Sequence, residues 1–129
     1  MRPQTLSLKV ARAALDKGAR SIQILDLRGK VDYADMLVLC SGTSSKHVTA
    51  VAEAVDGALR RAHVRPATVE GAALGHWVLL DYGDVVVHVF LEEVRAYYDI
   101  EGLWLDAPRI PVPGDEPAAA AVRGGPRRR

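Results

Sequence analysis

The stretch Gly75–Phe90, "GHWVLLDYGDVVVHVF", reads as two strands around a tight turn. With Tyr82 and Gly83 as a two-residue loop, Asp81 pairs with Asp84, Leu79 with Val86 and Trp77 with His88, because side chains alternate across a pleated sheet. Val78, Leu80, Val85, Val87 and Val89 then share an apolar face suited to a core. Trp77, Leu79, Asp81, Asp84, Val86, His88 and Phe90 share the other face, where acids and a histidine stand among large apolar groups. Tyr fits the first position of a primed turn poorly, and a three-residue loop with Gly83 left-handed would set the two strands in opposite phase.

Upstream, "SLKVARAALDKG" starts at a candidate cap, Ser7, carries Leu8, Ala11 and Leu15 at helical spacing and stops at Gly18. "SIQILDLRG" follows as a strand buried on at least one face. "YADMLVLCSG" holds the run Met36–Cys40, which has too little polar interruption for a half-wet edge and belongs near the middle of a sheet. In "TSSKHVTAVAEAVDGALRRA", Val48, Val51, Ala52, Val55 and Leu59 trace one stripe of a helix that Gly57 weakens without ending. "RPATVEG" is a short strand, and "LEEVRAYYDIEGLW" resumes a helical pattern with Glu92 and Glu93 in the favourable first turn.

The element order αββαβββα, with about five strands in a mixed sheet flanked by helices, indicates an α/β or α+β domain. Residues 1–106 form this single domain. Residues 107–129, rich in Pro, Ala, Gly and Arg, have little to bury and are expected to form a disordered tail.

The chain has 129 residues with 49% hydrophobic and 26% charged side chains, long enough for a core without disulfides. No apolar run approaches the ~18 residues of a membrane span, and the first residues carry no extended apolar segment, so a cytoplasmic protein without membrane contact is expected. The net charge of +1 conceals opposed regions. Residues 1–65 carry eleven Lys or Arg against six acids, residues 66–106 one Arg against eight acids, and the tail five Arg against two acids. An acidic region holding the Trp77 face repels nucleic-acid phosphates and attracts a basic partner, which argues against specific nucleic-acid reading there. Acids that merely keep a small domain soluble are the competing reading.

The turn Ser41, Gly42, Thr43, Ser44 joins a buried strand to a helix and is a candidate anion-binding turn. It has neither Walker spacing nor a dinucleotide fingerprint, and helix capping is the favoured role. A nucleotidyltransferase-like, phosphate-handling enzyme using this Gly-Ser turn is the alternative reading. Such chemistry needs paired carboxylates beside the turn, and the next strand offers only Glu70. The four histidines show no zinc spacing, and the single Cys40 has no partner and reads as a buried small hydrophobe rather than a nucleophile. No metal, cofactor or catalytic residue is therefore expected. His88 suits a surface or interface better than a base, and Trp77 reads as an interface anchor in preference to a core residue.

"DYADMLVLCSGTSSKHVTAVAEAV", "VEG" and "HWVLLDYGDVVVHVFLEEVRAYYDIEGLW" resemble the ribosomal silencing factor family, also called Iojap-like. The likeness runs from about Leu6 to Pro108. Its specific part is the ordered set Ala34-Asp35, Ser41-Gly42-Thr43-Ser44, Trp77, Asp81, Gly83-Asp84, His88, Phe90, Tyr97-Tyr98 and Leu103-Trp104. The resemblance implies a fold related to nucleotidyltransferases and a non-enzymatic factor. Such a factor binds the large ribosomal subunit through ribosomal protein L-fourteen and obstructs joining of the small subunit, lowering translation when nutrients are scarce. Trp77, Leu79, Asp81, Tyr82, Asp84, His88 and Phe90 are then the expected partner-binding residues. Val86 and Phe90 are candidate contacts in a homodimer of the free protein, and the Arg-rich tail matches nothing in the family.

Overall fold

The computed structural model describes residues 1–115. Helix α1 (Pro3–Asp16) begins a turn earlier than the Ser7 reading expected, because Pro3 fits the first helical position. Ser7 is buried within α1, and its hydroxyl donates to the Gln4 carbonyl at 2.8 Å instead of capping. Strand β1 (Arg20–Asp26) leads to β2 (Met36–Gly42), and α2 (Ser45–Arg61) follows. Then come β3 (Thr68–Glu70), β4 (Trp77–Asp81), β5 (Val85–Leu91) and α3 (Glu92–Tyr98). A 3-10 helix (Ile100–Trp104) and a short β6 (Arg109–Ile110) complete the described chain. The fold is a mixed α+β domain, as the sequence pattern indicated, with one strand more.

The sheet order is β3-β4-β5-β2-β1-β6, which places β2 in the interior as its apolar run required. All seven β2 residues are buried, and β2 runs antiparallel to β1 and parallel to β5. One sheet face packs Ile22, Ile24, Met36, Val38, Cys40, Val78, Leu80, Val85, Val87 and Val89 against the apolar stripes of α1 and α2. The other face buries Leu25, Leu27, Leu37, Leu39, Val86 and Phe90, with Val94, Ile100 and Trp104 packed against them. Two layers of different composition therefore cover the sheet. The helix pattern expected through Trp104 breaks at Asp99, whose left-handed conformation (φ 46°) ends α3 and starts the 3-10 helix.

The expected boundary at residue 106 is corrected by β6, which pairs with Ile24 and Leu25 of β1 while the Pro108 carbonyl accepts from Asp26 N–H. Ala107 and Val112 are buried, so this stretch closes the sheet edge and is held by contacts distant in sequence. Residues 116–129, the rest of the expected tail, lie outside the described residues.

Candidate functional site

The turn is one residue further along than expected. Tyr82 N–H donates to the Val85 carbonyl at 2.9 Å, leaving Gly83 and Asp84 as the two-residue loop, with Gly83 at φ 87°. A left-handed first loop position favours glycine over tyrosine. The cross-strand partners are Asp81 with Val86, Leu79 with His88 and Trp77 with Phe90, each displaced by two from the expected pairs. A slip of two conserves the side-chain phase, so the two faces keep their members. Only Asp84 leaves its face, for the exposed loop. Asp81 has local work too: its Oδ1 accepts from Gly83 N–H at 2.8 Å and braces the turn.

Trp77 is partly buried over a small aromatic cluster. Its ring centroid lies 4.8 Å from Phe90, 5.0 Å from Tyr98 and 5.9 Å from His88. Trp77 Nε1–H donates diagonally to His88 Nδ1 at 2.9 Å. The indole N–H can only donate, so this bond requires an unprotonated Nδ1. Burial pushes the His88 pKa down to about 4, in keeping with a neutral ring.

This packing corrects several expectations. His88 is 8% exposed, Val86 9% and Phe90 0%, so all three lie inside the domain beneath its surface. Val86 and Phe90 are not available as homodimer contacts, because Trp77 and the segment 94–104 already cover their layer. Tyr82 belongs to the opposite face, where it packs against the helix-side core with its hydroxyl 3.5 Å from Asp56 Oδ1.

The accessible surface is made by Trp77, Leu79, Asp81 and Asp84, with two additions that the sequence did not single out as exposed. A shallow cavity of about 370 Å³ is lined by Glu70, Gly71, Trp77 and Leu79. Beyond Trp77, Tyr98 (56% exposed) meets Tyr97 (83%) edge to face at 5.0 Å, and the same segment exposes Leu103 and Leu105. Tyr97-Tyr98 and Leu103-Trp104 stand in the motif set, but a helical pattern alone does not tell which of them face solvent.

The electrostatics sharpen the charge count. Arg95 is the only Lys or Arg in residues 66–106, and it is buried. It donates to Glu101 through Nε (2.9 Å) and Nη2 (2.8 Å), and through Nη1 to the Ser21 carbonyl (2.8 Å) and Ser41 Oγ (2.9 Å). The one Arg of this region is thereby withdrawn from the surface, while Glu70, Asp84, Glu92, Glu93, Asp99 and Asp106 are exposed, the last in an ion pair with Lys30 at 3.0 Å. Such a surface favours a basic partner.

The Gly-Ser turn is occupied by its own contacts. Ser44 caps α2 by accepting from His47 N–H at 3.1 Å, Thr43 N–H donates to His47 Nδ1 at 3.0 Å, and Ser41 accepts from Arg95. A side chain at Gly42 would meet Val48 Cγ2 at 2.8 Å, so the glycine allows the close strand-to-helix approach. Cys40 is fully buried, which pushes its thiol up to about 12 and suits packing rather than nucleophilic chemistry. Among the described residues no group of three His, Cys, Asp or Glu is arranged to hold a metal, and no helix is long and apolar enough to cross a membrane.

Residues 2–128 match the family described as "Ribosomal silencing factor during starvation". The ribosomal silencing factor of Bacillus subtilis is 43% identical over 102 residues, covering 78% of this chain and 86% of that protein. That of Halalkalibacterium halodurans is 38% identical over 114 residues, covering 88% and 97%. A crystal structure of a Chromobacterium violaceum protein superposes with a TM-score of 0.79 at 39% identity, covering 81% of this chain and 87% of that one. Because the match spans the sheet, both helix layers and the Trp77 face together, the chain belongs to the ribosomal silencing factor family.

Proposed function

We propose that this protein binds the large ribosomal subunit through ribosomal protein L-fourteen and sterically blocks joining of the small subunit. On this reading it represses translation under nutrient limitation, acting in the cytoplasm as a binding factor and not as an enzyme. The observation that carries the reading is the acidic aromatic surface around Trp77, from which Arg95 has been withdrawn. Trp77 and Tyr98 supply rigid apolar area beside Leu79, while Asp84 and the free oxygen of Asp81 meet basic side chains. His88, Phe90 and Val86 act from beneath by holding Trp77 in place. The phosphate-handling alternative draws no support from the turn Ser41–Ser44, whose polar groups serve capping and packing.

Sedimentation with purified large subunits tests the proposal. The protein is expected to migrate with the free large subunit, and Asp84→Lys, which reverses an exposed charge, is expected to weaken comigration mainly at low salt. Protein that stays at the top of the gradient at every salt concentration overturns the reading.

A further inference from the structure

The charge asymmetry of the sequence becomes an asymmetry of faces. Residues 2–17 and 44–65, which hold α1 and α2, carry eight Lys or Arg against Asp16, Glu53 and Asp56, while residues 18–43 carry three of each sign. The basic excess of the first half therefore falls in α1, α2 and their flanking residues, and the apolar stripes of these helices pack on the side of the sheet opposite Trp77. Two of the acids there are taken up locally, by Arg12–Asp16 and Arg60–Asp56 ion pairs at 2.8 Å each. Among the described residues Lys9, Lys17 and Arg61 form no ion pair.

These three cations converge on one groove. A cavity of about 580 Å³ runs between α1 and α2, with Lys9, Arg12, Lys17 and Arg61 in its walls against Asp16 and Glu53. The rest of its lining is Leu8 and the small groups Ala13, Ala54, Gly57 and Ala58. Leu8 is its one large apolar side chain and is itself partly buried against the core, so the groove offers no aromatic anchor of the kind that dominates protein interfaces. A phosphodiester backbone needs none: it is held by Lys and Arg with release of counterions, independently of base sequence.

We propose that the α1–α2 groove binds the phosphate backbone of RNA through Lys9, Lys17 and Arg61, as a second contact surface facing away from Trp77. The proposal rests on the large-subunit reading only for which RNA is met. Its chemistry stands on the groove alone. No base-specific contact is implied, because the cations of the groove wall suit phosphate oxygens, which carry no sequence information.

Fluorescence anisotropy of the full chain with a labelled RNA hairpin, between about 50 and 200 mM salt, tests it. The logarithm of the binding constant is expected to fall with the logarithm of salt with a slope of roughly −2 to −3, from three phosphate contacts. Lys9→Gln/Lys17→Gln/Arg61→Gln is expected to remove most of that slope and about tenfold or more of the low-salt affinity. All three side chains lie at the helix surface, and an unchanged thermal melt verifies the fold. A full-length variant with Arg127, Arg128 and Arg129 replaced by Gln has the same net charge and is expected to retain most of the binding. Polyglutamate, as an acidic-protein mimic, is expected not to occupy the groove. Equal loss in the tail variant, wild-type binding by the groove variant, or absence of RNA binding at low salt overturns the proposal. The probe contains no protein, so a failure of the Trp77 reading leaves each of these outcomes unchanged.

Discussion

Acidification should destabilise the domain through His88, and the size of the effect follows from its surroundings. His88 is 8% exposed, and its Nδ1 accepts the indole N–H of Trp77 at 2.9 Å. The folded protein holds the ring neutral down to about pH 4, whereas an unfolded chain protonates it near pH 6.5. Between these values the unfolded state binds more protons, so stability is full above about pH 6.5 and falls as the pH falls. At about 1.4 kcal/mol per pH unit, moving from pH 7 to pH 5 removes roughly 2 kcal/mol through this residue alone. His88→Asn places an amide oxygen close to the acceptor position and does not titrate, so it isolates the effect from the carboxylates. Urea denaturation followed by circular dichroism should show wild type losing about 2 kcal/mol more than His88→Asn across that range. Parallel losses in the two proteins would refute a buried neutral His88. The consequence for function is that Trp77 stays fixed by this bond throughout the neutral range.

Trp77→Ala should have a double effect: about 2 kcal/mol of lost stability, below the 3 to 5 typical of a fully buried aromatic, and a roughly thirtyfold or greater loss of large-subunit affinity. A thermal melt and quantitative sedimentation measure the two separately, and an unchanged melt would contradict the packing on Phe90 and Tyr98. Gly71→Ala should destabilise by at least about 2 kcal/mol and raise hydrogen exchange along β3 and β4, since Gly71 has φ 83° and its Cβ would collide with the Trp77 carbonyl. Removing residues 107–129 should lower the melting temperature, because it strips β6 and the buried Ala107 and Val112, a loss of roughly 2 kcal/mol or more. Unchanged melting would place that stretch outside the cooperative domain.

Much of the fold was legible because burial imposes a period. The stripe Val48, Val51, Val55, Leu59 fixes α2, and the unbroken run of β2 requires a strand covered on both sides. The faces of the hairpin survived a register error of two because side-chain direction repeats with that period, whereas the partner of Trp77 did not. The turn lies one residue beyond the two-residue loop Tyr82–Gly83, because the left-handed first loop position that Tyr82 fits poorly is taken by Gly83. β6 was hidden because two residues carry no pattern and are held by β1, some 85 positions earlier.

The site was legible in composition and less so in depth. Alternation put His88 and Phe90 on the Trp77 face correctly, but it cannot report that Trp77 and the segment after β5 close over them. Arg95 was counted as a charge in an acidic region, and only the fold sends it inward to Ser21, Ser41 and Glu101, from three separate parts of the chain. Tyr98 reads as one more position of a helix until its ring is found 5.0 Å from Trp77.

Light scattering during ribosomal subunit joining reads the proposed steric block itself. Large subunits saturated with this protein and then mixed with small subunits should give a much reduced joining amplitude, restored when Trp77→Ala replaces the wild-type chain. Full joining by large subunits that demonstrably carry the protein would contradict a steric block.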